Sequence, residues 1–196
     1  MKSILAVIFL FSFKLYAFTF NNSGELAFNN FPIQVHIASY ECTNIPFSNN
    51  QLASMTQQAI NQFWNTINIS SLELIYQGQS TVSDAFKSEA ICSSVSESGS
   101  CTPNSNLTFS DGILIACNSD ASDQNFSAGV LGLSIPINSS GPSIQGSIVL
   151  LNDRDDSQLI SVSEEEMIAV IAHEVGHALG LGHSTEKSAL MYPSMV

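Results

Sequence analysis

A chain of 196 residues, 44% of them hydrophobic, is long enough to bury one substantial core and short for two domains. Its formal net charge of −12, from 17 acidic against 5 basic residues, leaves too little positive charge for a phosphate-tracking groove and excludes nucleic acid as a partner. At the N-terminus, Lys2 precedes an apolar run from Ile4 to Phe13 that is too short to span a bilayer as a helix and reads as an export signal. Cleavage is expected after Ala17, although Leu15 stands where a small residue is preferred. The plan is a signal peptide over 1–17 and a single folded domain over 18–196, secreted to the extracellular space or a periplasm. Once the signal has gone, no membrane association and a monomer are expected.

Ile33, Val35 and Ile37 alternate with Gln34 and His36, the pattern of a strand. From Gln51 to Ile67 the apolar positions Leu52, Met55, Ala59, Ile60, Phe63, Trp64 and Ile67 recur at helical spacing, which predicts a helix packed on a sheet. Further strands are expected at Leu72 to Tyr76, Ile113 to Cys117, Val130 to Ile137 and Ser147 to Leu151, with a turn at Asn138 to Pro142. The Ser-rich stretch from Ser88 to Ser110 reads as a long loop. Four cysteines in an exported chain argue for two disulfides, and three pairings are open. Cys92 with Cys101 would close a small loop, leaving Cys42 with Cys117, each soon after a predicted strand.

Ser163 with Glu166 three residues on forms a capping-box signature, and Glu164 to Glu166 favour a helix N-terminus electrostatically. The helix that follows is strongly apolar until Gly180 offers a stop. Its end reads HEVGHALGLGH, from His173 to His183. Residues four apart on a helix differ by about 40° in azimuth, so His173 and His177 share a face and can hold one metal. Glu174 lies beside that metal, placed as a general base for a water the metal activates. Gly180 lets the chain turn so that His183 returns as a third ligand, leaving an open coordination position. A lone histidine on an apolar helix is usually a packed core residue, but three of the chain's four histidines fall within this segment, in the order a metal site needs.

This segment matches the metzincin motif HExxHxxGxxH at every specified position, and Met191 in SALMYPSMV is placed as the family's methionine turn. Ser184 and the run Ala189 to Pro193 resemble the matrixins in particular. Tyr192 is not counted as a ligand, because the family members that use such a tyrosine carry it where Pro193 stands here. The resemblance implies an α/β (α+β) metzincin-like zincin fold: a mixed, twisted five-strand sheet backed by the 51–67 helix and the active-site helix. It implies a secreted zinc metalloendopeptidase, with one catalytic Zn2+ on His173, His177 and His183, Glu174 as base, and a protein or peptide substrate. Gly129 to Gly132 resemble the matrixin edge strand, so Val130, Leu131, Gly132, Leu133 and Ser134 are expected to bind substrate main chain. Leu133 stands where matrixins carry a histidine for a structural zinc, and His36 is read as an ordinary strand residue, so that second zinc is not expected.

A cysteine-bearing inhibitory segment of the matrixin kind is not expected between Ala17 and the first strand. The chain stops soon after Met191, where the family's catalytic domain continues into a C-terminal helix, so the far wall of the cleft is expected to be unusual. Asn152, Asp153, Asp155 and Asp156 offer oxygen ligands for Ca2+, weighed against a solvated turn, which is the stronger reading. Asn106 and Asn125 begin Asn-x-Ser/Thr triplets. The rival readings are an exported protein that binds zinc without productive turnover and a disulfide-stapled adhesion domain carrying the motif by chance.

Overall fold

The computed structural model describes residues 26–67, 70–95, 101–120, 126 and 129–194. The signal and Asn125 lie outside them. The apolar segments pair as a mainly parallel sheet. Strand β1 (Ala27–Phe28) runs parallel to the start of β8 (Ser143–Asn152), and β2 (Ile33–Ala38) lies parallel between β3 (Leu74–Ser80) and β6 (Gly112–Asn118). β6 in turn runs parallel to β8, and β7 (Gly132–Ser140) folds back antiparallel on the other side of β8. The five expected strands are all present, and the two-residue β1 makes the sheet six-stranded. No helix among the described residues is long and apolar enough to cross a membrane.

β6 and β8 are buried on both faces, as parallel strands with covered faces must be. Ile113, Ile115, Val149 and Leu151 join one core with the helices α1 (Asn49–Ala59) and α3 (Glu164–Ala178). Leu114, Ala116, Ile148 and Leu150 turn to a second core with Phe86 on the short helix α2 (Ala85–Ser88), Ile91 and Leu107. Ile91 and Leu107 come from the stretch read as a long loop. They anchor it in the second core, and within it β4 (Cys92–Val95) and β5 (Cys101–Pro103) pair antiparallel. Isolated apolar anchors carry no periodicity, which is why that order is invisible in the Ser-rich sequence.

Ser48 caps α1 through a capping box with Gln51. The helix changes character at Ile60, continuing to Trp64 as a π turn rather than running on to Ile67 as an α-helix. That change delivers Trp64 to α3, where its indole N–H donates to the Ala172 carbonyl at 3.0 Å. Phe63 and Ile67, expected on the buried face, are each 37% exposed as a result.

Cys42, in the loop that follows β2, and Cys117, near the end of the neighbouring strand β6, are joined by a disulfide. Cys92 is disulfide-bonded as well; the side chain of Cys101 lies outside the described part. The acidic run after β8 is a structural clamp. The Asp153 carboxylate accepts from the backbone N–H groups of Thr43, Asn44 and Ile45 at 2.6, 2.8 and 2.9 Å. Asp156 pairs with Arg154, and Asn152 donates through its side-chain amide to the Val130 carbonyl at 2.7 Å. With these oxygens facing N–H donors or turned to the chain, the run gives the Ca2+ reading no support, and it forms no metal-ligand group among the described residues.

Candidate metal centre

α3 starts on the Ser163 capping box with Glu166 and is buried along most of its length. It ends where Gly180 takes a left-handed φ of 99°. The Gly180 N–H donates to the His177 carbonyl and the Leu181 N–H to the Gly176 carbonyl, at 2.9 and 3.0 Å, the pair of bonds that closes a Schellman motif. This exit turns the Leu181 carbonyl back to His177, whose Nδ1 donates to it at 2.7 Å. His173 is held in the same way, its Nδ1 donating to the Leu190 carbonyl at 2.8 Å.

These carbonyls only accept, so each Nδ1 carries the ring proton and each Nε2 keeps a lone pair. The ring nitrogens converge: His177 Nε2 lies 3.1 Å from His173 Nε2 and 3.2 Å from His183 Nε2. Ligand nitrogens about 2.0–2.1 Å from a tetrahedral zinc would stand about 3.4 Å apart. Lone pairs facing one another at such distances repel unless a cation lies between them, and these three residues form the metal-ligand group found among the described residues. Burial lowers the pKa of His173 and pulls that of His177 down to about 4, so both stay neutral, as metal ligands must. The donor set therefore fits Zn2+.

Behind the histidines, Met191 is buried in a turn in which the Ser184 N–H donates to the Met191 carbonyl at 2.7 Å. Its sulfur lies against Gly176, where an added Cβ would collide with Sδ and come within 3.0 Å of the Trp64 ring. Gly176 thus lets the methionine turn and Trp64 press directly on the helix between the two histidines.

Glu174 is buried, and burial pushes its carboxyl up to about 7. Its Oε2 accepts from the Ser134 hydroxyl at 2.8 Å. Of the five residues expected in the substrate strand, Val130 and Leu131 precede β7 and are tied to Asn152 through their carbonyls, while Gly132, Leu133 and Ser134 begin the strand. His36 stays on β2, edge-on to Phe109, outside the histidine group. Sequence reasoning did not connect Ser134 with Glu174, nor Trp64 and Gly176 with the metal centre. Trp64, as the one tryptophan in the chain and at the end of an apolar helix, was the signal available.

Residues 106–196 match the matrixin family model. Metalloendoproteinase 1-MMP of Arabidopsis thaliana is 49% identical over 41 residues, 21% of this chain and 11% of that protein. Interstitial collagenase of Sus scrofa is 41% identical over 56 residues, 29% of this chain and 12% of its own length. The matched segments are thus a small part of those relatives. The crystal structure of archaemetzincin from Methanopyrus kandleri covers 89% of this chain and 84% of its own at 12% identity with a TM-score of 0.40, a likeness too loose to carry weight here. From Asn106 onward, the stretch that holds β7, α3 and Met191, this chain is similar to the matrixin family.

Proposed function

We propose that this protein is a secreted zinc-dependent metalloendopeptidase whose metal is held by His173, His177 and His183. The observation that carries the reading is the convergence of the Nε2 atoms of His173, His177 and His183 at 3.1 and 3.2 Å, next in sequence to a buried carboxylate. Zn2+ in such a site supplies Lewis acidity, lowering the pKa of water and polarising a carbonyl.

The chain's own residues do the rest. Glu174 Oε1 takes the proton of the attacking water and passes it to the leaving amine. A carboxyl pushed up to about 7 suits both steps near neutral pH. The edge of β7 away from β8, which no strand among the described residues covers, seats the peptide. Leu131 accepts from the Asn152 N–H at 2.9 Å, so by the alternation of an antiparallel ladder Gly132 and Ser134 turn their main-chain N–H and C=O groups outward. An extended substrate can pair with them as an added strand.

The test is hydrolysis of a mixed peptide library by the signal-free protein. Cleavage that is lost in chelator and returns with added Zn2+ is expected. Bound zinc at one per chain without cleavage of any library member would instead favour a binding protein.

A further inference from the structure

We infer that Ser134 is a positioning residue for Glu174, and that Gly132 and Ser134 together make the substrate strand the support of the base. The inference rests on the peptidase reading above and adds a residue to it. Ser134 and Glu174 are 8% and 6% exposed, and Oγ to Oε2 is 2.8 Å. A buried carboxylate with a hydroxyl donor on one oxygen has that oxygen fixed in direction.

Gly132, two residues earlier, shares the face of β7 that carries the Ser134 side chain. A Cβ there would stand 2.8 Å from Glu174 Cδ and Cγ and 2.9 Å from Oε1, closer than real Cβ contacts. The intervening Leu133 and the following Ile135 turn to the second core. The Gly-x-Ser spacing therefore clears room for the carboxylate with one residue and supplies its donor with the next on that face.

The division of labour between the oxygens follows. Ser134 keeps its proton throughout and donates to Oε2 whether Glu174 is charged or protonated on Oε1. That leaves Oε1 for the water and the leaving amine. The same two residues turn their main-chain groups to the open edge, so a peptide pairing with β7 lies against the backbone that aims Glu174.

The experiment compares Ser134→Ala and Ser134→Thr with the parent protein, reading kcat and KM on a cleaved library peptide, zinc content and melting temperature. Ser134→Ala should lower kcat about ten- to a hundred-fold, with KM within about two-fold and zinc still at one per chain. Ser134→Thr should recover most of the loss. In the metal-free protein, carboxyl-13C NMR should show the Glu174 signal, assigned by its absence in Glu174→Gln, displaced by Ser134→Ala and close to the parent in Ser134→Thr.

An unchanged kcat, a loss confined to KM, loss of zinc from Ser134→Ala, or an unmoved Glu174 signal would each overturn the role. A parent that cleaves nothing would overturn the peptidase reading instead, while the NMR comparison still decides the Ser134 contact.

Discussion

Two polar clusters, one at the end of α3 and one just past β8, use their lone pairs in opposite ways. In the histidine cluster the donors are spent outward: each Nδ1–H of His173 and His177 goes to a backbone carbonyl, and the Nε2 lone pairs are left facing one another. In the Asp153 cluster the acceptors are spent inward, with both carboxylate oxygens taken by three backbone N–H groups of the Thr43 to Ile45 turn. Both sets are built from residues that bind metals. What separates a ligand site from a structural clamp is which atoms the surrounding backbone leaves unspent.

The largest expected effect on that contrast is at His177. His177→Ala should abolish stoichiometric zinc, since one of three converging nitrogens is gone and the Leu181 carbonyl loses its donor; elemental analysis of the purified variant checks it. Asp153→Ala should leave zinc bound yet cost about 3 kcal/mol or more of stability, because three backbone N–H groups lose their acceptor. Added Ca2+ should not shift the melting temperature of either the parent or this variant, and a marked rise in the parent would break the contrast.

A pH comparison sharpens the histidine side. The folded carboxyl of Glu174 titrates near 7, against 4.5 when free. Its contribution to stability is fully present below 4.5 and is lost as the pH rises through 7, where the buried group must ionise. Glu174→Gln has no such group, so in the metal-free state it should gain on the parent with rising pH, by on the order of 3 kcal/mol at pH 8. Denaturant titration of both proteins at pH 4 and pH 8 measures this.

The smallest effect is at Gly176. Gly176→Ala should cost about 1–3 kcal/mol by overpacking against Met191 and Trp64. The same change should red-shift the emission of the single tryptophan as it is pushed from its seat, a shift that fluorescence reads directly.

The histidine site was legible because its logic is local. Four-residue spacing on a capped helix and a glycine exit are written in consecutive residues, and Gly180 does adopt the left-handed turn that returns the chain. The strands of the sheet were legible for the same reason, through alternation and short apolar runs. What the sequence hid depends on partners far along the chain. Asp153 meets Thr43 across 110 positions, Trp64 meets Ala172 across 108, and Ser134 meets Glu174 across 40. Asp153 beside Asp155 and Asp156 resembles a cation loop until the turn it caps is seen. The π turn at Ile60–Trp64 likewise answers to an acceptor on another helix, which no periodicity within 51–67 can report.

Zinc content and peptide cleavage measured on one preparation of Glu174→Gln test the central claim most directly. Zinc at one per chain is expected, held by the untouched histidines, with cleavage of the parent's peptides abolished. Cleavage by that variant at the parent's rate would contradict it, and would remove Glu174 from the chemistry.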